Sequence, residues 1–150
     1  MTLYEGIATL FGVGRARVAP GTVASLLALA LAWPIALAGG RYGLLAAGLV
    51  ASALGTWACE RYARETRRDD PSECVIDELA GQWIACVFAP LSPRAFVLAF
   101  VLFRAFDIAK PWPISRLENL PGGIGIMADD LAAGLIGGAI IAGLAYAGLV

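Results

Sequence analysis

The chain has no histidine, few charges and only three cysteines, and each shortage excludes a class of function. Without histidine, the commonest general base and the commonest metal ligand are both missing. Charged residues make up 15% of the chain, against about 25% in soluble domains. A formal net charge of -1 argues against nucleic-acid binding, which needs a basic face. Cys59, Cys74 and Cys86 lie far apart with no CxxC, so they predict neither a disulfide framework nor a zinc site. Buried or interfacial thiols are the plain expectation. Residues 1–14 lack a basic n-region and carry Glu5, so no secretory signal is expected and the first helix should be retained.

What is abundant points to a membrane. Hydrophobic residues reach 59% and the mean hydropathy is +0.75. Glycine and alanine are frequent, as in closely packed membrane helices. At 150 residues, one domain spanning 1–150 is expected. Five apolar runs cover 23–38, 42–59, 79–90, 95–103 and 131–150. The expected fold is therefore all-α, an integral membrane helical bundle of about four to five apolar segments.

Pro20-Gly21 marks a turn, Thr22 is a candidate cap, and Ser25 is spaced to point its hydroxyl back at that turn. Pro34 is a candidate kink, and 39–41 reads as a short loop. Glu60/Arg64 and Arg61/Glu65 are i,i+4 pairs that carry the second run into water, before Asp70-Pro71-Ser72 ends the segment. The third and fourth runs are short of the ~20 residues that cross a bilayer, so they either extend into flanking residues or form a hairpin dipping partway in. Gly134 and Gly138 form a GxxxG, a weak signal of close helix contact. The sequence leaves open whether the protein is a homo-oligomer.

If the runs alternate across the membrane, one side collects every lysine and arginine except Arg41 and Arg94. The positive-inside rule makes that side cytoplasmic. The same alternation brings three acidic groups, distant in sequence, to that face: Asp77-Glu78, Asp107 and Asp129-Asp130.

Each group has a plainer reading beside the chemical one. Asp77 and Glu78 are placed to stabilise a helix N-terminus. Gly81 lies a turn along and would admit another helix or a ligand, and Gln82, at i+4 from Glu78, is spaced to hold it. Arg104, Asp107 and Lys110 at i,i+3 spacing would make a local ion pair, yet Pro111 and Pro113 fix a rigid charged corner there. Arginine as a fork and lysine as a point charge also suit a phosphate. The stretch 120–125 reads as a glycine-rich turn able to offer N–H groups to an anion, and Asp129-Asp130 open the last apolar run. An uncompensated carboxylate pair beside hydrocarbon is costly, and a divalent cation would relieve it. All-oxygen ligands select Mg²⁺, Mn²⁺ or Ca²⁺ over zinc or copper. Glu118 is a spare candidate. A hard cation beside arginine and lysine suggests a phosphate ester substrate. No cysteine-phosphatase loop and no Asp-x-Asp-x-Thr/Val motif is present, and histidine phosphatase chemistry has no histidine to use.

At these residues the sequence resembles the phosphatidylglycerophosphatase A family. The resemblance runs through Ala19-Pro20-Gly21-Thr22 with Ser25, Val75-Ile76-Asp77-Glu78 with Gly81-Gln82-Trp83, Phe103-Arg104 with Phe106-Asp107 and Lys110-Pro111-Trp112-Pro113, and Gly122-Gly123-Ile124-Gly125-Ile126-Met127 with Asp129-Asp130 and Ala133-Gly134. One departure is Arg17, where the family commonly has proline. The resemblance implies an Mg²⁺-dependent, multi-pass enzyme of the bacterial inner membrane that converts phosphatidylglycerophosphate to phosphatidylglycerol and phosphate. Asp77, Glu78, Asp107, Asp129 and Asp130 become the candidate catalytic and metal-binding residues. Glu78 is either a ligand or the base, and Arg104 and Lys110 are the candidate phosphate-binding residues. The rival reading is a small membrane divalent-cation transporter or channel, whose acids should lie mid-helix rather than at segment ends.

Overall fold

A computed structural model describes the whole chain, Met1–Val150. It is all-helical: α1 (Leu3–Ala8), α2 (Pro20–Thr66), α3 (Ile76–Val87), α4 (Pro93–Ala109), α5 (Ile114–Leu117) and α6 (Gly122–Tyr146), with a 3₁₀ turn at Val13–Arg15. Two helices, α2 and α6, are long and apolar enough to cross a membrane.

α2 is two helices joined at a single residue. Gly40 (φ 59, ψ -158) is its one non-helical position, a conformation that a Cβ would strain. The expected loop at 39–41 thus shrinks to one glycine, and the backbone stays helical through Pro34, whose ring faces outward. The two halves run back along each other. Ala32 and Ala36 share a buried cluster with Leu44, while Ala28 shares another with Ala51 and Ala58. On the first half, Ala24, Ala28, Ala32 and Ala36 recur every fourth residue and are buried, whereas Leu26, Leu27, Leu31 and Leu37 are exposed. Small side chains inside and large apolar ones outside invert the soluble pattern and fit a membrane protein.

Thr22 is not the cap of α2. The helix starts at Pro20 after Ala19, and Thr22 lies within its first turn. Ser25 donates to the Gly21 carbonyl at 2.9 Å, as its spacing suggests. Of the two expected ion pairs, Arg64 meets Glu60 at 2.6 Å, while Glu65 instead accepts the Tyr4 hydroxyl at 2.5 Å. That bond and the edge-on contact of Tyr4 with Trp57 hold α1 to α2. α2 ends at Thr66, ahead of Pro71, with Arg67 in the left-handed region. The loop that follows is pinned by the Arg68–Glu73 bridge (2.9 Å) and by the Val75 N–H on the Ala8 carbonyl (2.9 Å). All three cysteines are buried and free.

α3 has 12 residues, about 18 Å of rise, and α4 has 17, about 25 Å. α4 extends beyond its apolar run at both ends, whereas α3 starts before its run and stops short of the run's end. Ser92 caps α4 by accepting the Ala95 N–H at 3.1 Å. α3 packs chiefly on α2 and α6, and Trp83 donates to the Ala28 carbonyl at 2.9 Å. The expected glycine-rich turn at 120–125 is mostly helix: α6 already runs from Gly122. Its start is tied to α2 by the Gly123 N–H on Glu60 Oε2 at 2.7 Å. A Cβ at Gly123 would collide with the Thr56 carbonyl, so this glycine serves close helix approach rather than flexibility.

The turns at the two ends separate the groups. Gly40 and Arg41 share one end with Ala89 and Leu91 of the α3–α4 turn. The α2 start, the α3 start, the α4 end and α6 near Asp130 meet at the other.

Candidate active site

Backbone contact between α3 and α6 builds the acidic centre. Where Gly81 would carry a Cβ lie the Asp130 carbonyl and the Phe103 ring, and where Gly134 would carry one lies the Gly81 carbonyl. Only paired glycines let two helices touch this closely. The contact sets the first turn of α3 against the third turn of α6. Asp77, Glu78 and Asp130 consequently present ligand oxygens all within 4.8 Å of one another.

Each acidic pair is ordered by its own backbone. The Glu78 N–H donates to Asp77 Oδ1, and the Asp130 N–H donates to Asp129 Oδ1, both at 3.0 Å. Asp130 is only 3% exposed. Its Oδ2 and Glu78 Oε2 are buried without a hydrogen-bond partner. Three carboxylates this close repel one another when charged, and two orphaned oxygens raise the cost further. This donor set fits a hard divalent cation, which takes carboxylate oxygens and no nitrogen or sulfur.

The other two acids are placed differently. Asp107 forms an ion pair with Arg104. Asp129 accepts from Lys110 at 2.5 Å, and Lys110 also reaches Glu118 at 3.2 Å. Burial opposes the Lys110 charge, but Asp129 and Glu118 outweigh it and hold its pKa above the usual lysine value. Lys110 is not on the helix with Arg104 and Asp107. It caps α4 in the left-handed region (φ 42), since Pro111 stops the helix, and its side chain turns to α6. Asp129 and Asp130 also do not open their helix. They lie seven and eight residues past Gly122, roughly 10 Å along. Gln82 does not hold Glu78; it donates to Cys86 Sγ at 3.5 Å, and its Oε1 has no partner.

All seven residues singled out in the sequence line one cavity of about 330 Å³. Thr22, Asp70, Ser72 and Cys74 line it too. Of these, Thr22 stood out in the sequence as a cap and as part of the block carrying the family resemblance, not as a site residue. A larger cavity, about 630 Å³, is elsewhere. It is lined by apolar side chains with Arg41 its single charged group, so it offers nothing to phosphate chemistry.

Known proteins resemble the chain over nearly its whole length. A protein 36% identical over 143 residues comes from Bacteroides thetaiotaomicron and is provisionally named a phosphatidylinositol-3-phosphatase; the match covers 91% of this chain and 89% of that protein. Phosphatidylglycerophosphatase A of Escherichia coli K12 is 35% identical over 144 residues, covering 90% of this chain and 79% of the enzyme. Phosphatidylglycerophosphatase A of Haemophilus influenzae is 34% identical over 143 residues, covering 93% and 87%. No solved structure matches the chain. The family model for phosphatidylglycerophosphatase A matches residues 6–145, and the chain therefore belongs to this family of phosphatases.

Proposed function

We propose that the protein removes the terminal phosphomonoester of phosphatidylglycerophosphate, yielding phosphatidylglycerol and phosphate, in a multi-pass inner-membrane setting with its site at the cytoplasmic face. The observation that carries this reading is the triad of Asp77, Glu78 and Asp130 within 4.8 Å, sharing one cavity with Arg104 and Lys110. The positive-inside rule supports the orientation, because this end collects nearly all the arginines and lysines.

Asp77, Glu78 and Asp130 would hold Mg²⁺, with Asp107 and Asp129 beside them. The ion, when bound, supplies charge neutralisation at the phosphoryl group and activation of water. Arg104 presents a planar fork to the phosphoryl oxygens, and Asp107 fixes its orientation. Lys110 adds a point charge, held in place between Asp129 and Glu118. Glu78, whose Oε2 has no hydrogen-bond partner, is the carboxylate suited to take a proton from the attacking water. The water oxygen joins phosphorus, the P–O bond to glycerol breaks, and the glycerol oxygen leaves as the alcohol with the proton that Glu78 took from the water. The apolar flanks of the helices keep the lipid chains in the bilayer while the headgroup enters.

This division of roles predicts that Lys110→Ala raises KM about tenfold, a loss of roughly 1.4 kcal/mol. The Mg²⁺ concentration for half-maximal rate should stay within about twofold of wild type. A shift in Mg²⁺ requirement as large as that of Asp130→Asn would contradict it.

The substrate is tested by phosphate release from phosphatidylglycerophosphate and from phosphatidylinositol 3-phosphate in the same mixed micelles. We expect phosphatidylglycerophosphate to be preferred at least about tenfold in kcat/KM, the scale of one lost polar contact. The opposite preference would favour the activity named for the Bacteroides relative. No release from either lipid would favour divalent-cation transport.

A further inference from the structure

We propose that the first turn of α2 is the seat of the substrate phosphate, with Thr22 as a direct phosphate ligand; this deepens the phosphatase reading and rests on it. α2 begins at Pro20, and the first backbone bond into it is from the Val23 N–H to the Ala19 carbonyl. The N–H groups of Gly21 and Thr22 therefore have no helical acceptor. Both residues line the acidic cavity, and the dipole of a long helix favours an anion at that end.

A helix start alone would not make a site, but three side-chain observations point the same way. Thr22 Oγ1 accepts from Arg104 Nη2 at 3.3 Å. Its own proton makes no hydrogen bond, unlike that of Ser25, which is spent on the Gly21 carbonyl. Thr22 is thus a free donor, oriented by the guanidinium proposed to hold phosphate. Arg104 Nε is buried without a partner as well. Across the same cavity Asp130, almost fully buried, leaves Oδ2 unpartnered. The residues lining the cavity therefore carry unpaired donors on α2 and α4 and unpaired acceptors on α3 and α6. A phosphate monoester bridged to a cation satisfies both sets.

Gly21 completes the arrangement. Glu78 Oε1 occupies the place its Cβ would take, and Arg104 Nη1 lies 3.5 Å from that place. The helix backbone can approach the acidic centre only because residue 21 has no side chain. The seat consists of the two N–H groups, the Thr22 hydroxyl and Arg104, while Lys110 approaches from the α6 side.

The test compares Thr22→Val, which keeps the shape and removes the hydroxyl both as donor and as acceptor for Arg104, with Thr22→Ser, which keeps it. Full-length protein in detergent with Mg²⁺ is titrated with inorganic phosphate by calorimetry, and KM and kcat are measured on phosphatidylglycerophosphate. Thr22→Val should weaken inorganic phosphate binding about tenfold and raise KM by a similar factor, while Thr22→Ser stays within about twofold of wild type. The unfolding midpoint should drop only slightly, by the cost of the single Arg104–Thr22 hydrogen bond. If Thr22→Val fails to fold, Thr22→Ala carries the same expectation. Wild-type affinity for phosphate in the Val or Ala variant, equal weakening in the Ser variant, or no phosphate binding by wild type would overturn the assignment. A wild-type protein that binds phosphate but does not hydrolyse the lipid would refute the substrate reading, and the Val and Ser comparison would still decide the role of Thr22.

Discussion

Asp130→Asn is expected to lower phosphate release by about 10³-fold, the scale seen when a preorganised charge-stabilising group is lost. The substitution keeps the shape of the side chain and removes one of three carboxylates that converge within 4.8 Å. Asp77→Asn should act alike. Asp107→Asn and Asp129→Asn should cost less in metal affinity, because each of these acids already faces a cation of the chain, Arg104 or Lys110. A second readout separates chemistry from folding. In metal-free protein the triad is a site of repulsion, so removing one charge should leave the unfolding midpoint unchanged or higher. Loss of activity together with a lower midpoint would instead make Asp130 a structural residue.

Gly81→Val should abolish activity by a different route. Its side chain would have to displace the Asp130 carbonyl and the Phe103 ring, and neither backbone nor a fully buried ring yields easily. Overpacking of this kind costs about 3 kcal/mol, and the helices can relieve it only by separating. That would move Asp77 and Glu78 away from Asp130. The expected result is a lower unfolding midpoint and loss of Mg²⁺ affinity, although no ligand has been changed. Gly134→Val should behave the same way, since the Gly81 carbonyl occupies its Cβ position. Near-normal Mg²⁺ affinity in a folded Gly81→Val protein would show that this contact does not set the triad.

The convergence of Asp77, Asp107 and Asp130 was legible because alternating apolar runs place their connections at alternating ends. Their partners were not legible. Lys110 reads as a neighbour of Asp107 on one helix face, but Pro111 ends that helix and the chain turns lysine toward Asp129. The stretch 120–125, with its proline and glycines, reads as a turn by local propensity. It is mostly helix because Gly123 touches the α2 backbone at Thr56 and Glu60, and this tertiary contact overrides the glycine penalty. Thr22 looked like a cap for the same local reason. Its role depends on Arg104, 82 residues away, a distance no local pattern spans. The pattern of buried alanine and exposed leucine on α2 was hidden too, since both simply count as apolar when uncharged runs are read.

The most direct test of the central claim follows phosphate release from phosphatidylglycerophosphate by purified protein after EDTA treatment and on adding back Mg²⁺. The measurement is repeated for Asp130→Asn with bound metal counted in both proteins. The account predicts that release stops with EDTA and returns with Mg²⁺ in the wild type, and that the variant neither binds the ion nor recovers. Release that persists without divalent cation, or full activity in Asp130→Asn, would contradict it.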